Sequence, residues 1–149
     1  MYFLNWREVD LEGVLLAGVI AGYIMAFAGL WAGRITGLTA VDIADFGRRY
    51  MVSDRPSAWF LGLASHLANS VILTLLWATA IEPNLPWPRV VGGAAYGLVL
   101  SIALAGALIA PMSGFGFLGR HTGNGAFART SILMHILWGA VMGLIYVPR

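Results

Sequence analysis

Cysteine and lysine are both absent from this chain, and charge of either sign is scarce: nine cations, all arginine, and seven acids in 149 residues. Without cysteine there is no disulfide, no thiolate metal site and no cysteine nucleophile, and thiols say nothing about the redox compartment. A net charge of +2, carried mostly in the breaks between apolar runs, excludes a nucleic-acid surface. The vocabulary of catalysis is missing as well. There is no HExxH, nucleophile elbow, P-loop or Ser/His/Asp arrangement. The acids sit at the chain ends, in the breaks, or at the very start of the first run at Glu12, so no carboxylate relay crosses the apolar segments.

What remains is grease. The composition is 59% hydrophobic and 11% charged, with a mean hydropathy of +0.78, far from that of water-soluble domains. Four runs dominate, at about 11–32, 58–81, 90–110 and 130–147, and none contains an arginine. About 20 residues at 1.5 Å rise cross ~30 Å of hydrocarbon. Backbone amides at that depth must be bonded within the segment, and the runs are continuous instead of alternating, which selects helices over a barrel. The expected fold is therefore all-α, a single four-helix transmembrane domain filling residues 1–149. Glu8, Asp10 and Glu12 precede a first run too long for a signal-peptide core, so that run is expected to stay as a span.

Arginine sets the expected orientation. Arg34, Arg48, Arg49, Arg55, Arg120 and Arg129 lie in the first and third breaks, against Arg7, Arg89 and Arg149 elsewhere. That six-to-three bias places both termini outside a cell inner (cytoplasmic) membrane.

The spans read as one two-helix unit used twice. His66 is followed eleven positions on by Trp77, and His135 eleven positions on by Tyr146. Upstream of each lies a Gly-xxx-Gly pair, Gly18/Gly22 and Gly93/Gly97. Two tandem hairpins follow, related by an axis along the membrane normal. Further pairs at Gly29/Gly33 and Gly139/Gly143 imply close helix packing throughout. In the first break Thr39, Asp42, Asp45, Arg48 and Arg49 interleave with Val41, Ala44, Phe46 and Tyr50. This spacing predicts a short capped helix, either lying at the interface with Arg48, Arg49 and Arg55 among anionic lipid headgroups or serving as a polar connector. Pro83, Pro86 and Pro88 make the second break a stiff turn. The third, glycine-rich but apolar, either dips into the bundle or lies along the interface. Trp6, Trp31, Trp59, Trp77, Trp87 and Tyr146 fall near span ends, as an aromatic belt requires. Trp138 lies well inside.

His66 and His135 are the strongest candidates for chemistry, because an ionisable side chain within a span points to function by default. Both fall ~9 to 11 Å inside the cytoplasmic boundary. Three readings are open. Each imidazole can donate to a carbonyl or serine of a neighbouring helix and lock the packing. The pair can ligate a b-type haem, or one can hold a chlorophyll-type pigment or a copper ion. Or they can handle protons or substrate. A polar seam accompanies them: Asn69, Ser70 and Thr74 after His66, and Ser131 and Trp138 around His135. Asn69 is expected to face inward. No metal-ligand set is visible beyond the two imidazoles. Gly114, Gly116 and Gly119 spell G-x-G-x-x-G but follow a span instead of a strand, so dinucleotide binding is discounted. His121, beside Arg120, reads as a solvated loop residue.

The stretch Ala110-Pro111-Met112-Ser113-Gly114-Phe115-Gly116, with His135, Gly139 and Gly143 in the fourth run, resembles a bacterial family of small four-span membrane proteins of unknown function. That family carries a Pro-Met-rich glycine turn after span three, a His-x-x-x-Gly-x-x-x-Gly pattern in span four and a related histidine in span two. Ser113, Phe115 and Phe117 depart from the Met-rich form of the turn and remove its soft-metal character. The resemblance implies four spans and no reaction. With the Gly seams and the empty catalytic vocabulary, it favours a non-catalytic subunit among other integral membrane subunits and lipids, in a respiratory or photosynthetic electron-transfer assembly. A haem or pigment protein using His66 and His135, or a small permease lined by Asn69, Ser70 and Thr74, are the alternatives.

Overall fold

A computed structural model describes residues 9–45 and 54–148, and among them there is helix and loop but no strand. Four helices are long and apolar enough to cross a membrane: α1, Leu11–Arg34; α2, Pro56–Asn84; α3, Arg89–Met112; and α4, Ala126–Ile145. Their 20 to 29 residues reach ~30 to 44 Å, the pattern of a multi-pass membrane protein.

Most helix ends run slightly past the limits read from hydropathy, α4 alone stopping short at Ile145, and local chemistry explains the early starts of α2 and α4. Pro56 occupies the first turn of α2, where its missing N–H costs nothing. α4 starts four residues before Thr130 because the Asn124 side chain accepts from the Ala126 amide at 2.9 Å. Arg129 is no span boundary: it sits in that first turn, exposed, and donates from Nε to the Gly37 carbonyl at 2.9 Å.

α1 packs against α2 and α4, and α3 packs against α4, whereas α2 and α3 share no extended backbone seam. Glycine makes the close seams. Gly18 and Gly22 meet Val71, Leu67 and Ser70 of α2. Gly93 and Gly97 press against the Gly139 and His135 carbonyls of α4, so a Cβ at Gly97 would overlap the His135 oxygen. Gly29 and Gly33 face Val41 and Ala40 of the first loop.

The core contains Val14, Ala17, Ala21 and Met25 from α1 and a stack of aromatics between α2, α3 and α4. Trp77 and Tyr96 have ring centroids 5.5 Å apart, and Tyr96 and Trp138 6.0 Å. Trp77 and Tyr146 are therefore core residues, each 1% exposed, and not members of an aromatic belt. Their places depend on glycine: Gly92 lies under the Trp77 indole, and Gly13 lies beside the Tyr146 ring. Trp31 and Trp87 are exposed, Trp31 beneath the Arg34 guanidinium at 3.8 Å. Trp59 is anchored otherwise, donating from Nε1 to Asp42 at 2.9 Å.

Two stretches are wound wider than α, with π-type hydrogen bonding: Trp77–Ile81 in α2 and Ser101–Ile109 in α3. In the first loop a helical turn opens at Ile43 with Asp42 as its cap, Oδ1 accepting from the Ala44 amide at 3.0 Å. Thr39 does not cap it. Thr39 is instead tied to α4, its amide donating to Thr130 Oγ1 at 3.0 Å while that hydroxyl donates to the Thr39 carbonyl at 3.1 Å. Trp6, Phe46, Arg48, Arg49 and Tyr50, and with them the interfacial role expected of the two arginines, lie outside the described residues.

The glycine-rich third loop folds back on the end of α3. Gly114, Gly116 and Gly119 all have φ between +69° and +81°, so the G-x-G-x-x-G spacing is turn chemistry. Leu118 also sits at positive φ, at 52°, and its side chain packs on Gly106 of the π stretch.

Candidate functional site: a histidine cleft between α2 and α4

Because α2 and α3 lack a direct seam, the large side chains between them decide where the bundle is filled. At one end Trp77, Tyr96 and Trp138 close it, and the Tyr96 hydroxyl donates to the Leu73 carbonyl at 3.1 Å. Toward the arginine-bearing loops a cleft of about 180 Å³ is left. It extends from Val41, Ile43 and Phe127 at the loop end to Leu73, Leu100 and Trp138 at mid-bundle. Its third wall, Leu104, Ala105 and Ile109, comes from the π-wound part of α3.

Both histidines line this cleft. His66 Nε2 lies 3.1 Å from the Gly22 carbonyl of α1, and His135 Nδ1 lies 2.8 Å from the Ser131 carbonyl one turn back on α4. A carbonyl oxygen only accepts, so the proton is on Nε2 in His66 and on Nδ1 in His135. The other nitrogen of each neutral ring carries a lone pair, and none of the described residues bonds to it.

The polar seam divides. Ser70 and Trp138 come together: Trp138 Nε1 donates to Ser70 Oγ at 2.6 Å, and Ser70 Oγ donates to the Gly18 carbonyl at 2.6 Å, linking α4, α2 and α1. Thr74 is fully buried, donates to the Ser70 carbonyl of its own helix at 2.8 Å, and is not among the residues lining the cleft. Asn69 and Ser131 do line it. Asn69 does not turn fully inward, since it remains exposed along the open side. Arg55 is the residue just before α2, makes no side-chain cap to the helix, and is exposed. His121 is an exposed loop residue, with Nδ1 3.3 Å from the Gly114 carbonyl.

Several contributors have no signature in the sequence. The Gly22 carbonyl, which orients His66, is a main-chain atom. Met25 and Met134 line the cleft, yet a methionine in a span reads only as hydrophobe. Tyr96 was one aromatic among many. Among the described residues no three His, Cys, Asp or Glu side chains cluster as a metal site would require. No protein family, no curated protein and no solved structure matches the chain. The likeness to small four-span proteins rests on the residues quoted for it alone.

Proposed function

We propose that this chain is a non-catalytic, multi-pass protein of the inner membrane whose working part is the histidine cleft, and that it binds a small ligand there. One observation carries the reading. Two imidazoles on different helices are each oriented by a backbone carbonyl, with the second nitrogen unpartnered, along the same cavity. Histidines that only locked the packing would need no shared space. A cavity with a few convergent polar groups in an apolar wall is the usual form of a small-ligand site.

The volume argues for a small occupant. At about 180 Å³ the cleft falls below the ~300 to 1,000 Å³ of pockets for drug-sized ligands, which weighs against a haem or chlorophyll-type macrocycle between the rings. A permease path is not supported through Thr74, and the aromatic stack interrupts any route along the bundle. A subunit role in a larger membrane complex would draw support from Gly seams left open to partners. The Gly-xxx-Gly pairs are instead spent within the chain. The pairing of α1 with α2 and α3 with α4 supports the two-hairpin plan, and the arginine bias supports placing both termini outside.

The test uses the absence of native cysteine. In Asn69→Cys the only thiol lines the cleft, and a small thiosulfonate reagent should modify it in intact membranes. Arg120→Cys, in the third loop, is the exposed control. Labelling of the control with no labelling at position 69 would mean that the cleft is closed and the reading wrong. Arg120→Cys labelled only from the outer side would reverse the orientation.

A further inference from the structure

The cleft's donor atoms are chemically unusual, and the choice among ligands follows from them. Among the described residues no carboxylate and no thiolate lines it. The side-chain groups these residues offer a Lewis acid are two neutral imidazoles, the thioethers of Met25 and Met134, and the weak oxygens of Asn69, Thr130 and the serines. Hard cations such as magnesium and calcium require carboxylate oxygen, and structural zinc takes four nitrogen or thiolate ligands, so neither suits this set. Imidazole with thioether suits the soft monovalent ion of copper.

Charge points the same way. An uncompensated charge in a span is costly, and a neutral ligand set leaves the whole charge of the ion unbalanced, so a monovalent ion is held at least cost. The imidazoles are also prepared as ligands. A metal-bound histidine almost always donates its other N–H to a carboxylate, carbonyl or water, which fixes tautomer and ring orientation. His66 and His135 each make that bond, at 3.1 and 2.8 Å to Gly22 and Ser131 carbonyls. Met25 lies one turn after Gly22 on α1, and long helical side chains lean toward the N-terminus, which carries its thioether back toward the His66 contact.

We infer that the cleft is a copper(I) site in which His66 Nδ1 and His135 Nε2 bind the ion and the thioethers of Met25 and Met134 complete the set. This assignment rests on the reading of the cleft as a ligand-binding cavity. The site binds the ion in its reduced state, so no electron is gained or lost on binding.

The experiment is an anaerobic titration of the full-length protein in detergent, with copper(I) presented as its complex with bicinchoninate, whose colour reports the copper not yet captured. Wild-type protein should withdraw one equivalent. Met25→Leu keeps the side-chain volume and should weaken capture about tenfold, and His135→Ala should weaken it at least as much. X-ray absorption at the copper edge should show nitrogen and sulfur neighbours together. Copper left with the chelator overturns the assignment, as does capture unchanged by both substitutions. A first shell of nitrogen and oxygen alone removes the thioethers. If position 69 labels as above while copper is refused, the cleft stands and the copper site falls. If position 69 is also closed, both fall.

Discussion

Trp138 and Ser70, on α4 and α2, are joined at 2.6 Å through the indole N–H and the serine hydroxyl, and the same hydroxyl passes its own proton at 2.6 Å to the Gly18 carbonyl of α1. Three helices thus meet at one oxygen atom. Ser70→Ala leaves the buried Trp138 N–H without a partner, while the Gly18 carbonyl, in the middle of α1, keeps its helical bond. The expected cost is ~1 to 3 kcal/mol by the usual penalty for a stranded buried group, toward the low end because interhelical bonds in membranes average ~0.6 kcal/mol. Reversible unfolding in mixed micelles measures it. In a Trp138→Phe background the same substitution should cost less, because the N–H it would strand is already gone.

Ser101 is the converse case. Its hydroxyl is fully buried at the start of the π stretch of α3 and has no hydrogen-bond partner among the described residues. Ser101→Ala removes an unpaired polar group at little loss of volume. Stability should rise by about 1 kcal/mol, read as a higher midpoint in the same unfolding assay. A fall in the midpoint would show that the hydroxyl has a role the helix does not reveal.

Gly97 and Gly114 should respond differently to alanine. At Gly97 the new methyl meets the His135 carbonyl, a backbone atom that cannot step aside, so α3 and α4 must part and the folded yield should fall sharply. At Gly114 nothing lies within 4 Å, and the penalty is only the left-handed backbone, φ +81°, at roughly 1 to 2 kcal/mol. Size-exclusion profiles of the two variants compare them directly.

Nitrogen-15 spectra of histidine-labelled protein should show two different neutral tautomers in the span region, Nε2–H for His66 and Nδ1–H for His135. The same tautomer at both sites would contradict the carbonyl contacts that orient them.

Thr130→Val should loosen the first loop without touching the cleft histidines. Two bonds to Thr39 are lost, at about 1 kcal/mol each, and the Thr39 amide should exchange with solvent far faster. Unchanged exchange at Thr39 would show that other contacts fix the loop.

Four apolar helices were legible from composition and run length because hydrocarbon imposes one rule on every residue in contact with it. The finer placement was not legible, for reasons visible at single positions. Trp77 and Tyr146 sit near span ends, where a belt and a core aromatic look alike. Only Gly92 and Gly13, distant in sequence, reveal the holes they fill. His66 and His135 could be singled out, but the carbonyls that set their tautomers belong to Gly22 and Ser131 and leave no mark in residue type. Thr39 looked like a cap because it precedes Asp42 by three positions, whereas Asp42 itself caps the turn and Thr39 bonds across to α4.

The π-wound stretch Ser101–Ile109 holds more residues per turn than an α-helix of the same length. That surplus turns the lower half of α3, so Leu104, Ala105 and Ile109 become a wall and not lipid-facing side chains. Deleting one residue there would let α winding resume while everything below it keeps its face, because a π-type widening is how a helix absorbs one extra residue. The aperture beside the two imidazoles is therefore a matter of helical pitch, and a single-codon deletion within that stretch redraws its outline with neither histidine altered.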